Sequence, residues 1–137
     1  MDYQQDKIRV ICDQLDLLRH TTAAVLDDFA YCPAGYKGAC NTAPETGWQP
    51  WDPNMTFGGH DAHYWFRTHF TAPAAQPGKE LFFHLSTGYE GDWDSVNPQG
   101  IVYLNGELTQ GVDINHRLVK LEPGKDYDLQ VYMYTSL

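Results

Sequence analysis

Two long stretches of this chain alternate apolar and polar side chains with a period of two. Tyr64, Phe66, Thr68 and Phe70 alternate with Trp65, Arg67 and His69. Tyr127, Leu129, Val131 and Met133 alternate with Asp128, Gln130, Tyr132 and Tyr134. Successive side chains of a β-strand point to opposite faces of its sheet. The pattern therefore predicts one face on a core and the other wet or covered. A shorter run repeats it, with Leu81, Phe83 and Leu85 against Phe82, His84 and Ser86. Val102 and Leu104 lead into Asn105-Gly106, and residues 118–121 read as one more short strand. An Asn-Gly pair between apolar runs is the strongest short-range hairpin signal, and its type I′ turn requires positive φ at both positions. Pro77-Gly78 and Pro123-Gly124 mark further tight turns. Short strands spaced by turns predict a mainly β chain, an antiparallel β-sandwich with long packed loops.

The N-terminus carries a different period. Across residues 4–20, Ile8, Ile11, Leu15 and Leu18 recur at helical steps and form one apolar stripe. Asp2 followed by Gln5 resembles a capping box. The stripe must lie on something, most simply a face of the sheet. Residues 21–31 carry both signals, because Val25, Leu26 and Phe29 suit a helix while Thr21 and Thr22 suit a strand. We group residues 1–31 as an N-terminal helical segment beside a loop-rich β-sandwich over residues 32–137, together one compact domain. Residues 32–59 are dense in Pro, Gly, Asn and Asp. A loop that long in a compact domain must be packed down by its own side chains. Trp48, Trp51 and Phe57 are its natural anchors. The chain stops at Leu137 directly after a strong strand, which suggests a domain cut from a longer polypeptide.

With 137 residues, 42% of them apolar and 14% aromatic, the chain has the material for a folded core. Its formal net charge of −9 repels polyanions, so neither nucleic acid nor an anionic membrane is an expected partner. No apolar run approaches the ~20 residues that span a bilayer, and the first residues form no signal-peptide core. Cys32 and Cys40 flank a Pro- and Gly-containing loop and could pair in an oxidising compartment. The odd count of 3 cysteines and their irregular spacing favour free thiols instead. The expected setting is cytoplasmic.

Some residues invite a chemical reading. His60 and His63 form an H-D-A-H run, and two imidazoles at that spacing can ligate a metal on a helix. Gly58-Gly59 precedes them and a strand follows, so they are weak metal candidates and read better as a polar strand entry. Glu90, Asp92 and Asp94 sit in a Gly-bounded loop where carboxylates could bind calcium or do acid–base work. The EF-hand offsets are not met, and a solvated acidic loop is the simpler reading. Trp93 lies within that loop. An exposed Trp face suits a sugar ring, although most Trp side chains pack. Asp113, Asn115 and His116 form a polar turn with no strand or helix period, so it presents side chains rather than burying them. No nucleophile elbow, Walker or Rossmann glycine pattern, or ordered catalytic triad is present.

Over residues 58–134 the chain resembles the N-terminal β-rich domain of the class II α-mannosidases, glycoside hydrolase family thirty-eight. The ordered pieces are Gly59 with Trp65-Phe66, the strand of residues 81–85, and Pro98-Gln99-Gly100 leading into Tyr103-Leu104-Asn105-Gly106. Gln110-Gly111 and then Asp113, Asn115 and His116 complete the series. In that family the β-domain precedes a catalytic domain that holds zinc through aspartates and histidines, one pair within an H-x-D motif. That domain hydrolyses α-mannosidic bonds with retention, using an Asp nucleophile. No His of this chain is followed two positions later by Asp. The resemblance thus implies a non-catalytic accessory domain of an α-mannosidase of the cytoplasmic type, with no catalytic residue, cofactor or metal ligand here. It implies the parent's own catalytic domain as partner, with oligosaccharide as a second. The hydrogen-bonding capacity of the turn and the aromatic in the acidic loop make Trp93, Asp113, Asn115 and His116 the candidate interface or sugar-facing residues. The competing expectations are a stand-alone carbohydrate-binding β-sandwich module and a structural domain of another large hydrolase.

Overall fold

The computed structural model describes residues 21–35, 42–87, 98–113 and 115–135. It is mainly β, with no helix among the described residues. In chain order the strands are β1 (Ala30–Ala34), β2 (Gln49–Pro50), β3 (Ala62–Thr71), β4 (Leu81–His84), β5 (Gln99–Leu104), β6 (Glu107–Val112), β7 (Leu118–Leu121) and β8 (Asp126–Thr135). A six-stranded sheet has the order β2-β1-β3-β8-β5-β6, and β4 pairs with β7 in a two-stranded sheet. Every pairing is antiparallel. The two long alternating stretches of the sequence, β3 and β8, run side by side over ten residues each at the centre of the large sheet.

The alternation on β8 sorts as expected. Tyr127, Leu129, Val131 and Met133 join Val102 of β5 and Val112 of β6 in one buried cluster. Phe83 of β4 and Val119 and Leu121 of β7 belong to the same cluster, so the small sheet packs on this face. The other face of the large sheet is split: Arg67, His69, Asp126 and Asp128 are exposed along one half, while the half around Trp65 is covered. Trp65 is 1% exposed and packs with Cys32, Tyr103 and Tyr132 in a second buried cluster. Only where the strands are buried on both faces is the polar half of the pattern lost. Aromatic and amphipathic side chains stand there instead, and alternation alone does not tell whether they are covered.

The long loop covers the Trp65 half of that face. Trp48 packs against the Trp65 cluster, its indole N–H donates to the Pro44 carbonyl at 2.8 Å, and the Arg67 guanidinium lies 4.1 Å from its ring centroid. β2 then pairs along the edge of β1 and carries the chain across to the other face. There Trp51 meets Phe29 edge-on at 6.0 Å, and Phe57 makes edge contacts with Tyr31, Tyr64 and Phe66 at 4.9–5.2 Å. All three expected anchors therefore hold the loop, from opposite sides of the sheet edge. Cys32 is a buried free thiol that donates weakly to the Thr46 carbonyl at 3.7 Å, and Cys40 lies outside the described residues.

The N-terminal grouping needs correction in its described part. Residues 21–29 form no helix, and the boundary after Tyr31 falls inside β1. Leu26 and Phe29 pack on the main core from an extended chain. The Thr68 hydroxyl donates to the Asp28 carbonyl at 2.7 Å, and the Trp51 amide donates to the Phe29 carbonyl at 2.9 Å. Long-range bonds from Thr68 of β3 and from Trp51 stand where the helical half of the mixed signal would have placed an intrahelical ladder. The helix expected over residues 4–20, with its capping box, lies outside the described residues. Among the described residues no helix is long and apolar enough to cross a membrane.

The hairpin between β5 and β6 is the predicted two-residue turn, with φ of 51° at Asn105 and 81° at Gly106. The Asn105 side chain adds a staple that the turn rule does not contain. Its carbonyl oxygen accepts the Asp128 amide at 2.7 Å and its NH2 donates to the Asp126 carbonyl at 3.3 Å. Asn105→Ala is expected to lower stability by roughly 1–3 kcal/mol, from lost bonds and a strained positive φ. Asn105→Gly keeps the backbone and isolates the bonds, at about 1 kcal/mol. Gly106→Val should cost on the order of 1 kcal/mol or more. Urea midpoints measure all three, and an Asn105→Gly variant as stable as the parent would remove the staple from the account.

Candidate functional site

Strand register gathers the singled-out residues at one end of the large sheet. His63 near the start of β3 stands opposite Ala34 of β1 and Tyr134 of β8, and Tyr134 stands opposite Gln99 of β5. Gly100 of β5 stands opposite Val112, the last residue of β6. The polar turn leaves β6 at this end. Beyond it, the Arg117 carbonyl accepts the Leu85 amide at 3.0 Å, which ties the exit of β4 to the far side of the turn. Residues 85–87 and 98–100 flank the acidic loop, so both of its described roots adjoin the turn. Glu90, Asp92, Trp93 and Asp94 themselves lie outside the described residues.

The turn is closed by Asp113. One carboxylate oxygen accepts the amides of Asn115 at 2.8 Å and His116 at 2.7 Å. The His116 ring nitrogen Nδ1 stands 3.0 Å from the same oxygen, and the Asp113 amide donates to the His116 carbonyl at 3.1 Å. Asp113 was expected to reach across an interface. It acts instead as the scaffold of its own turn, and the exposed side chains are Asn115 and His116. Asx side chains favour such local bonds to the backbone downstream.

Two opposing influences act on the Asp113 carboxyl. Burial pushes its pKa up, but the two amides and the His116 imidazole outweigh burial and hold it below the ordinary carboxylate value. A folded pKa below the unfolded one contributes stability above the unfolded value of about 4, and this is lost as pH falls through the folded value. Asp113→Asn keeps the turn's acceptor and removes the charge. It should melt lower than the parent at pH 6, by roughly half a kcal/mol because the carboxylate is partly exposed and screened. The difference should close as pH falls through the lowered folded pKa of Asp113. A difference that stays constant as the medium is acidified from neutral pH until the domain unfolds would contradict this assignment.

His63 is turned inward rather than presented. The Tyr132 hydroxyl hydrogen-bonds its Nδ1, and its Nε2 lies 3.4 Å from an Asp61 carboxylate oxygen. The Tyr134 ring centroid is 5.0 Å from the imidazole. Asp61 holds a φ of 52° at the entry to β3, and the Thr135 hydroxyl donates to the Gly59 carbonyl at 2.9 Å. His60 sits outside the strand, in the turn before it. The H-D-A-H run is thus a strand entry with one buried imidazole. Among the described residues no three His, Cys, Asp or Glu side chains converge as a metal group would require.

The His63–Tyr132 bond was not visible in sequence, although both side chains fall on one face once β3 and β8 are aligned. The alignment itself was the missing datum. Among known proteins, no family model, curated protein or solved structure matches this chain.

Proposed function

We propose that this chain is a non-catalytic β-sandwich domain of an α-mannosidase-like glycoside hydrolase. It docks on the hydrolase's catalytic domain through the sheet end that carries Asn115 and His116. One observation carries the docking part: the polar turn and both roots of the acidic loop meet at that end. A partner seated there would contact the loop with Trp93 and the turn together. The identity of the hydrolase is supported by the ordered series from Gly59 to His116. Its members occupy structurally demanding positions: Asn105 and Gly106 at positive φ, Trp65 in a buried cluster, Asp113 as the closure of its turn. Zinc and nucleophile belong to the catalytic domain of this cytoplasmic enzyme. Oligosaccharide reaches this domain only at the junction.

Asn115→Ala with His116→Ala in the full-length hydrolase separates contact from scaffold. The expected result is lower α-mannosidase activity, or dissociation of the domains under mild urea, while the isolated β-domain melts lower only by the loss of the exposed His116–Asp113 contact. The isolated chain should bind neither mannose nor mannobiose. Saturable sugar binding by the isolated chain, lost on Trp93→Ala, would favour a carbohydrate-binding module. Chelator-sensitive hydrolysis of an aryl α-mannoside by the isolated chain would overturn the non-catalytic reading.

A further inference from the structure

Asn105-Gly106 is the only Asn-Gly pair of the chain, and asparagine is among the chemically labile side chains. Glycine makes the pair more labile, because no side chain shields its backbone nitrogen. The Gly106 nitrogen can attack Asn105 Cγ. The Cγ–Nδ2 bond then breaks and ammonia leaves, which closes a five-membered imide. Water opens the imide at Cγ to give aspartate, or at the main-chain carbonyl carbon to give isoaspartate. One water enters, one ammonia leaves and no oxidation state changes.

The fold holds both reacting atoms of the side chain elsewhere. Asn105 Oδ1 accepts the Asp128 amide at 2.7 Å, and Nδ2 donates to the Asp126 carbonyl at 3.3 Å. The Asn105 amide donates to the Asp128 carbonyl at 2.9 Å, so the turn is tied to β8 through three bonds to backbone. Ring closure must turn Cγ towards Gly106 and expel Nδ2, which breaks both side-chain bonds. We propose that Asn105 is a deamidation site gated by this fold. It is shut while the side chain spans to β8, and open when the β5–β6 hairpin swings away. Such a hairpin lies at the end of the sheet, where local opening costs least.

Either product keeps the gate from closing again. The donor to the Asp126 carbonyl is lost, and a new carboxylate stands beside the exposed Asp126 and Asp128 in a chain of net charge −9. Isoaspartate also adds a methylene to the main chain of a two-residue turn, and that turn sets the register of β5 against β6. The modification therefore records the time the hairpin has spent open. It does so at the end of β5 away from Gly100 and the polar turn.

Peptide mapping by mass spectrometry follows conversion at Asn105 in the full chain, held in mildly alkaline buffer. Native protein should convert at least about tenfold more slowly than protein in denaturing urea, a factor within what two hydrogen bonds supply. Below the unfolding transition, added urea should raise the rate in parallel with hydrogen exchange of the Asp128 amide, whose proton Asn105 accepts. Leu104→Ala loosens the hairpin and leaves the Asn-Gly pair in place. It should speed conversion in the native protein and leave the rate in denaturing urea unchanged. Equal rates in the folded and unfolded chain would overturn the gate. An Asn105 that stays intact even in denaturing urea would overturn the site. Conversion that rises while Asp128 exchange stays constant would place the attack in the closed hairpin, and the proposal would fall.

Discussion

Trp65→Ala is expected to remove about 3–5 kcal/mol of stability. Domains of this kind hold only about 5–15 kcal/mol in total, so the variant should lose a large fraction of its stability and melt well below the parent. Three features place the loss at the high end. The side chain is among the largest that are fully buried. Its ring centroid lies 5.6 Å from Tyr103 and 5.5 Å from Tyr132, so the cavity would strip contacts from two further aromatics. Its strand neighbours, Cys32 and Tyr132, are held by sheet bonds and cannot collapse into the gap. Trp51→Ala offers the contrast. That ring is only half-buried and meets Phe29 edge-on, so its removal should cost roughly a third as much. Urea midpoints of the two variants decide the matter. Equal losses would mean that the second cluster is ordinary loop packing rather than a core.

That second cluster also marks where sequence reading stopped. The strands were legible because Leu129, Val131 and Met133 repeat every second residue, and the hairpin was legible because Asn-Gly has a backbone reason. The same rule left the face of Trp65 and Tyr132 as either wet or covered, since alternation reports relative sides and not which side is covered. The cover comes from Trp48, distant in sequence, across a loop whose only sequence signal was its aromatic content. Residues 21–29 failed for a related reason. Leu26 and Phe29 are spaced for a helix, but the bonds from Thr68 and Trp51 that hold them extended are long-range. At the candidate site, sequence found Asp113, Asn115 and His116 but not the division of labour among them. An Asx turn looks the same as an exposed acid until its acceptor geometry is known.

The second large effect is expected at Gly100, where a methyl group should cost more than about 2 kcal/mol. A Cβ built there would stand 2.4 Å from Met133 Sδ, 2.5 Å from the Tyr132 carbonyl oxygen and 3.3 Å from Val112 Cγ2. The Met133 side chain can swing away, but the Tyr132 carbonyl is backbone in the central strand and cannot. The requirement is therefore close approach, not conformation. Gly111 is the matched control, two strands' width from β8. A Cβ there meets only the Gly100 carbonyl, at 3.9 Å. Gly111→Ala should be neutral or stabilise by up to about 1 kcal/mol, through a stiffer unfolded chain. Opposite signs at two glycines of one strand pair are hard to obtain from strand propensity alone. Met133→Ala combined with Gly100→Ala should recover only part of the loss attributable to Gly100, because the carbonyl contact remains. Full recovery would shift the cause to the thioether. The site bears on the proposed docking as well as on stability. Gly100 stands at the root of the acidic loop and opposite the last residue of β6, so β5 can lie against β8 there only without a side chain. A displaced β5 would separate the loop from the Asp113–His116 turn. If the chain docks as proposed, Gly100→Ala should then weaken that docking beyond what its melting temperature predicts, whereas Gly111→Ala should leave it intact.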